Sequence, residues 1–493
     1  MPERRLGWPG FAGIWPPFLF GLVAALGQAP VGAWFLGLPA LAALVYWVAK
    51  PGQARAAIWA AWFGGAGYFA LSLNWIIEPF LVDAATYGWM IPFAVVLLAF
   101  GLALFWAAAA ALAGFAVNRA LGFAVALTFA ELARGYVLTG FPWALIGHIW
   151  IDTPIAQLAA LTGPSGLTLV TLLAAALLAQ WRVKPVAGAV TLLLMSGAYG
   201  LWALAQPTPA PPGVTVRLVQ PNAAQRLKWD PAEADQFFNR LLAYTAVKPT
   251  PDVVIWPETA LPYSLEYNPE LVGVISTAGN GAPVLVGRQR IEGTKGWNSL
   301  SLITPDAKIA ATYDKHHLVP FGEYIPFGDL AYKWFGLTAF AAQQGNGYTP
   351  GAGPQVMDLG AKLGKIIPLI CYEAVFPQDL RGTPRPDWIL QVTNDAWFGT
   401  LSGPFQHLAQ ARLRAIEQGL PLVRVANTGV TGVYDARGRE TAALTFGTAS
   451  YLDAQLPGAL PMPSYARFGE LPLLVLLGGL GLVVFRRRRP ATP

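Results

Sequence analysis

The stretch Ile366-Ile-Pro-Leu-Ile-Cys371-Tyr-Glu373 decides how the middle of this chain is read. Ile366 to Ile370 is apolar throughout, and a second such run, Trp388–Val392, follows it. Uninterrupted apolar strands belong to a sheet buried on both faces, whereas a half-exposed sheet alternates polar and apolar residues. Working outward, Thr215–Val219, Val253–Trp256, Pro283–Gly287, Ser299–Ile303, Ala310–Tyr313 and Leu422–Val425 are also strand-like. Ala232–Val247 and Phe405–Gln418 carry helical periodicity. Strands interleaved with helices over residues 214–455 predict an α/β layered domain.

The rest of the chain has a different composition. Over all 493 residues, 55% are hydrophobic and only 12% are charged, against about 25% charged in soluble domains. The excess of apolar residues lies in residues 1–205 and after Glu470. A bilayer-spanning helix needs roughly 20 mostly apolar residues. About eight runs qualify, near residues 10–28, 31–49, 56–78, 88–113, 120–139, 163–181, 185–205 and 470–485. The first follows Arg4 and Arg5 as a signal peptide would, but it lacks a small-x-small cleavage site, so a retained anchor is expected. Four parts are expected: a membrane domain over residues 1–205, a proline-rich stiff linker at 206–213, the α/β domain at 214–455, and a return linker, last span and basic tail at 456–493.

Charge gives the expected orientation. Arg4 and Arg5 precede the first run, Lys50 and Arg55 follow the second, Arg119 the fourth, Arg182 and Lys184 the sixth, and Arg486 to Arg489 the eighth. The intervening loops carry no Lys or Arg. Positive loops stay in the cytoplasm, so both termini are expected there and the α/β domain outside, on the periplasmic side in a bacterium. The net charge of +6 is thus a matter of topology; no basic stripe with interleaved aromatics points to nucleic acid. One cysteine excludes an intramolecular disulfide. Four histidines with no acidic or cysteine cluster near them in sequence predict no metal site.

Three segments place an ionisable residue at or just past an apolar strand: Ile255-Trp-Pro-Glu258, Tyr313-Asp-Lys315 running on to Glu323, and Leu369-Ile-Cys371-Tyr-Glu373. Strand ends are where layered sheets form their sites. Two readings of these residues stand. Cys371 can be a small buried hydrophobe and Glu258–Lys315 a structural ion pair. Alternatively, Glu258 accepts the thiol proton, Lys315 favours the thiolate and the oxyanion, and Cys371 attacks a carbonyl. Spacing alone does not bring the three together.

The same segments resemble the Glu–Lys–Cys triad of the nitrilase superfamily. With the flanking spans, the whole chain resembles its membrane-embedded branch, the apolipoprotein N-acyltransferases. The resemblance rests on Val219-Gln-Pro-Asn, Lys228-Trp-Asp, Trp256-Pro-Glu, His317-Leu-Val-Pro-Phe-Gly-Glu, Cys371-Tyr-Glu, Thr393-Asn-Asp-Ala-Trp-Phe-Gly and, in the membrane part, Thr139-Gly-Phe-Pro-Trp143. Pro221 departs from it, since glycine is common there. The resemblance implies a multi-pass helical membrane domain of about seven spans with an extracytoplasmic αββα sandwich. It implies Glu258 as base, Lys315 as oxyanion cation and Cys371 as nucleophile. Glu323, Glu373 and Tyr372 would support them, and Trp229 would bind substrate. Trp397 and Asn394, after the Trp388–Val392 strand, are further pocket candidates, although an Asn-Asp turn explains Asn394 equally well.

The implied reaction has two halves. Cys371 takes an acyl chain from a phospholipid, typically phosphatidylethanolamine in the family, and a thioester forms. The α-amine of the N-terminal diacylglyceryl-cysteine of an apolipoprotein then takes the chain, with no cofactor or metal. The apolar, Gly/Pro-broken segment Tyr324–Phe340 is either a packed insertion or a flap that keeps water from the thioester. A membrane-tethered amidase would use the same triad, but it leaves the spans unexplained. A transporter or scaffold would leave Cys371 inert. Glu131 and Arg134, inside the fifth run, read either as a local ion pair or as a functional intramembrane pair. His148 and Asp152 read as surface or interfacial residues, and His316 and His317 as structural ones.

Overall fold

The computed structural model describes residues 11–50, 52, 54–326 and 347–485. Arg4, Arg5, Arg486 to Arg489 and nearly all of the Tyr324–Phe340 flap expectation lie outside those residues. The chain forms two compact units, one of Met1–Gln206, Leu401–Ala409 and Arg467–Pro493, the other of Pro207–Thr400 and Gln410–Ala466.

In the first unit every apolar run contains a helix: α1 (Phe11–Ala25), α2 (Trp34–Ala49), α3 (Ala54–Ser72), α4 (Ile91–Ala113), α5 (Arg119–Arg134), α6 (Ala159–Leu178), α7 (Val183–Ala205) and a last one at Leu471–Val484. Among the described residues, three stretches are long and apolar enough to cross a bilayer: Ala84–Ala113, Pro154–Leu178 and Val183–Ala205. The pair Ala54–Ser72 and Asn74–Leu81, bent by 63°, makes a fourth if counted as one span. The helices in the other runs have 14 to 16 residues, or roughly 21–24 Å at about 1.5 Å per residue. Leu97, Leu104, Leu194 and Trp202 face outward, as expected of helices solvated by lipid on their outer side. Helices α1 and α3 meet backbone to backbone: a Cβ on Gly21 would lie 1.9 Å from Gly64 O, and one on Gly67 would lie 2.1 Å from Phe18 O. Small residues allow this close packing of two backbones.

The run at 120–139 is corrected. Helix α5 ends at Arg134 with Gly135 as its C-cap, and the Arg134 guanidinium turns back onto the chain that follows. It bonds the carbonyls of Phe141 and, at 2.9 Å, Trp143. It also pairs with Glu131 at 2.6 Å and sits 5.0 Å from the Phe69 ring centre. Glu131 accepts in addition from Trp106 Nε1 at 2.9 Å. Both charges are buried, and the partners they have are all protein groups. His148 is buried as well, contrary to a surface reading, whereas Asp152 is exposed. Trp143 donates from Nε1 to Gln406 Oε1 at 2.8 Å and stacks on His407.

The second unit holds two six-stranded sheets. Strands β1 (Thr215–Gln220), β2 (Val253–Ile255) and β3 (Val284–Glu292) are parallel neighbours, extended by β4 (Lys295–Ile303) and β5 (Ile309–Asp314). Strands β7 (Lys365–Ile370), β8 (Trp388–Thr393) and β9 (Leu422–Ala426) are the parallel centre of the other sheet. Its edges are β6 (Met357–Asp358) on one side and β10 (Gly432–Tyr434) with β11 (Glu440–Ala443) on the other. A last strand, β12 (Ser450–Gln455), returns antiparallel to β1. The sheets face each other, β1 against β9 and β4 against β7.

Helices α8 (Pro231–Thr245) and α9 (Glu270–Gly279) cover the first sheet. Phe238 and Leu241 of α8 and Ile275 of α9 pack on Val254, Trp256, Val284 and Val286. Helix α10 (Gly403–Gln418) joins β8 to β9 and runs from the first unit into the second. The buried Arg217 of β1 fixes the return strand, bonding Asp453 twice at 2.7 Å as well as the carbonyl of Thr245 at 3.1 Å.

Candidate active site

The parallel strands of each sheet end on the same side. Glu258 follows β2, Lys315 follows β5, and Cys371 and Asn394 directly follow β7 and β8, which pair in register Ile370 to Val392. One glycine allows Glu258 its place. A Cβ on Gly287 of β3 would lie 2.0 Å from Pro257 O and 2.9 Å from Glu258 Cα, so only glycine admits the turn there.

Glu258, Lys315, Glu323 and Cys371 are all buried, and both carboxylates meet the one ammonium. Lys315 Nζ lies 2.8 Å from Glu323 Oε2 and 3.8 Å from Glu258 Oε1. Asn298 bridges the same carboxylates, donating from Nδ2 to Glu258 Oε1 at 2.7 Å and to Glu323 Oε1 at 3.0 Å. The other Glu258 oxygen accepts the Asn394 backbone N–H at 2.7 Å. Burial alone would push the Lys315 ammonium down, but Glu323, Glu258 and the Cys371 sulfur outweigh it and hold it well above the usual lysine range. This lysine is a fixed cation.

Cys371 sits at a sharp turn, with φ of +52°, where β7 gives way to the short helix Cys371–Val375. A left-handed non-glycine residue is costly, on the order of 1–3 kcal/mol, and is held only by its surroundings. Here Glu373 does much of the holding. Its Oε2 accepts the Ile370 N–H at 2.7 Å, while Oε1 accepts the Tyr313 hydroxyl and the His316 N–H, each at 2.8 Å. Arg414 of α10 donates to the carbonyls of Ala374 and Val375 at 3.3 and 3.1 Å.

Burial pushes the Cys371 thiol well up, and the charge of Glu258 pushes it further; Lys315 and a hydrogen bond with Thr393 oppose them. Lys315 does favour the thiolate, as the sequence reading expects, but it does not prevail. Burial thus favours the protonated thiol over the thiolate. Glu258 is the carboxylate whose charge the thiol feels most.

The other candidates fall into two groups. Tyr372 is buried, its ring edge-on to Phe376 at 4.9 Å. Trp229 and Trp397 are half-buried, and the Trp229 ring lies 5.5 Å from Lys228 Nζ. The Asn394 side chain is engaged within the protein at both ends, with Gln225 at 2.6 Å and Asn427 at 2.9 Å. It reaches the site through its backbone N–H rather than its amide. Asp395 is tied to the buried Arg424 at 2.8 Å.

Sequence reasoning missed Asn298, whose neighbours Trp297 and Ser299 give no hint of a bridge formed only in space. It also named Lys228 only within a motif.

His316, His317 and Asp379 bring ligand-type atoms within 4.8 Å of one another, a grouping hidden in the sequence because Asp379 is distant. His317 Nδ1 lies 3.0 Å and His316 Nε2 3.3 Å from Asp379 Oδ2. Burial would lower His316, but Asp379 and Glu373 overcome it and raise it to about 9. In this arrangement both histidines pair with Asp379.

Residues 20–177 match the apolipoprotein N-acyltransferase N-terminal domain, and residues 215–460 match the carbon-nitrogen hydrolase family. An apolipoprotein N-acyltransferase of Caulobacter vibrioides is 40% identical, with 99% of this chain and 96% of that protein covered. One of Rhodopseudomonas palustris is 37% identical, with 96% and 94% covered. A solved carbon-nitrogen hydrolase superfamily protein of Xanthomonas campestris is 20% identical with a TM-score of 0.35, over 57% of this chain and 99% of that one. The second unit is therefore a carbon-nitrogen hydrolase domain, carried by a chain whose helical part has its own family signature. The chain belongs to the apolipoprotein N-acyltransferase family.

Proposed function

We propose that this enzyme transfers an acyl chain from a phospholipid, through a thioester on Cys371, to the α-amine of the N-terminal diacylglyceryl-cysteine of apolipoproteins. The observation that carries the reading is the meeting of Glu258, Lys315 and Cys371, brought from three separate strand ends into one buried cluster.

In the first half-reaction Glu258 takes the thiol proton as sulfur attacks the ester carbonyl carbon. Lys315, locked by Glu323, stabilises the oxyanion. The carbon–oxygen bond then breaks, Glu258 returns the proton to the departing alcohol oxygen, and a lysophospholipid leaves. In the second half-reaction the neutral amine attacks the thioester. Glu258 takes a proton from the amine nitrogen, and the carbon–sulfur bond breaks. The sulfur recovers the proton from Glu258, and an amide is formed. Asn298 and the Asn394 N–H keep Glu258 aimed through both halves, while Glu373 and Tyr372 support the nucleophile turn. Trp229 and Trp397 line the approach for the lipid substrates.

Phosphatidylethanolamine is the proposed donor. The alternation of positive and uncharged loops supports a multi-pass inner-membrane protein with both termini cytoplasmic and the catalytic domain, residues 214–455, periplasmic. Residues 1–205 and the last helix then anchor it, through the linker at 206–213 and the return segment from 456.

The test is the intact mass of the purified protein after incubation with phosphatidylethanolamine alone, with Cys371→Ser as control. The expected result is a hydroxylamine-labile gain of one acyl chain, absent from the variant. No gain and no released fatty acid would exclude phospholipid as donor and favour a membrane-tethered amidase.

A further inference from the structure

Lys228 stands outside the Glu–Lys–Cys set, yet it is only 3% exposed. Its Nζ donates to Thr259 Oγ1 at 2.7 Å and to the Glu258 carbonyl at 3.2 Å. Among the described residues no carboxylate pairs with it, in contrast to Lys315. A buried lysine without a carboxylate partner is rare, because burial disfavours its charge. Its two bonds fall on the turn that carries the proposed base. Thr259 holds a φ of +43°, a left-handed value unusual for a β-branched residue. The turn is thus pressed from one side by Gly287 and held from the other by Lys228.

We propose that Lys228 is a positioning residue for acyl transfer: its ammonium fixes the Glu258–Thr259 turn and sets a second positive charge, besides Lys315, against the backbone of the proposed base. This rests on the function proposed above. Burial lowers the Lys228 ammonium, Glu258 and the Cys371 sulfur oppose that, and burial prevails, leaving it at about 8. Such a Coulomb coupling is mutual, so the sulfur feels the lysine as the lysine feels the sulfur. The charged groups that face the sulfur are then Glu258, Lys315, Asp395 and Lys228, with Asp395 already neutralised by Arg424. Moving the thiol proton to Glu258 shifts one negative charge onto sulfur. A cation seated on the backbone of Glu258 itself stays in place for that shift in both half-reactions.

Cys371 is the only cysteine, so the intact mass of the full-length protein reads alkylation at one atom. Iodoacetamide reacts with the thiolate, so its rate against pH reports the ionisation of the sulfur without either lipid. Failure of the acyltransferase reading would leave this measurement intact. Between about pH 6 and 8, where the Lys228 ammonium still carries its charge, Lys228→Gln, which keeps a donor but loses the charge, is expected to displace the profile upward by about one unit, or about tenfold in rate at neutral pH. Lys228→Arg is expected to restore it. A Lys228→Gln profile that superimposes on that of the unaltered enzyme would overturn the proposal, as would Lys228→Arg shifting upward equally far. If Lys228→Gln does not unfold cooperatively, Lys228→Arg decides alone. A guanidinium keeps its charge throughout the range, so its profile must coincide with the original or lie below it. Thr259→Val removes the anchor and keeps the cation. It is expected to slow acyl-enzyme formation about threefold to tenfold with the alkylation profile unmoved; an unchanged rate would remove the positioning role.

Discussion

Glu373 accepts the backbone N–H of His316 at 2.8 Å, and in doing so ties the Cys371 turn to the Lys315 turn. Its other oxygen holds Ile370, the residue before Cys371, while His316 follows Lys315 directly. One buried carboxylate therefore sets the relative position of two groups that come from different sheets. Glu373→Gln keeps the shape but turns an amide N–H2 toward backbone N–H donors. Opposed donors in a buried site are expected to cost about 2–4 kcal/mol. Chemical denaturation in detergent measures the loss, and acyl-enzyme formation should slow at least about tenfold in parallel. An unchanged midpoint would show that the turns hold each other without it.

Gly287 offers a test of how tightly the Glu258 turn is seated. A methyl there would meet the Pro257 carbonyl at 2.0 Å and Glu258 Cα at 2.9 Å, so the backbone of one strand or the other must shift. Gly287→Ala is expected to destabilise the domain by about 1–3 kcal/mol, as overpacking does. It should also slow acylation far more than the change in melting temperature suggests, because the displaced atoms belong to the proposed base. Full activity in Gly287→Ala would mean that the turn relaxes freely.

His316 gives the domain a pH dependence whose sign is fixed. Burial opposes its charge, but Asp379 and Glu373 raise it from 6.5 to about 9. The folded protein thus holds a proton that the unfolded chain releases near 6.5. The stabilisation is fully present below that value and is lost as pH rises through about 9. The melting temperature of the unaltered protein should fall over this range relative to His316→Gln, in which that proton is missing. Other titrating groups, Lys228 among them, are common to both proteins and cancel in the difference. Parallel curves from pH 6 to about 10 would assign the proton elsewhere.

Much of the second unit was legible because its parallel strands are apolar on both faces. Ile366–Cys371 and Trp388–Val392 stand out in sequence and correspond to β7 and β8 within a residue or so. Edge strands were not legible. The two-residue β6 and the polar, half-exposed β11 carry no periodicity. Strand β12 pairs with β1 across most of the domain, a relation that no local pattern encodes. The helix Glu270–Gly279 was missed as well, being short and amphipathic between two loops. In the site, the ionisable residues announce themselves by standing at the ends of apolar strands. Asn298 does not, since it belongs to a strand of ordinary composition and acquires its meaning only by lying between two carboxylates. The fifth apolar run misled for a related reason. Its hydropathy continues past Arg134, but the backbone leaves the helix at Gly135 and takes positive φ at Leu138 and Gly140.

That arginine separates two roles for a charge pair within apolar surroundings. A binding role predicts that removing Arg134 weakens interaction with phospholipid. A structural role predicts that the damage comes from the partner left behind. The guanidinium already contacts Glu131, two carbonyls and the Phe69 face, which favours the second. Arg134→Met should therefore destabilise the helical unit by about 3–5 kcal/mol, because among the described residues it leaves the buried Glu131 carboxylate with Trp106 as its side-chain donor and no paired charge. Adding Glu131→Gln should recover most of that loss, since the amide still accepts from Trp106 and no charge remains. In the double variant the phospholipid concentration giving half-maximal acyl-enzyme formation should equal that of the unaltered enzyme. A restored fold with a concentration dependence shifted by tenfold or so would instead place Arg134 on the path of the lipid headgroup.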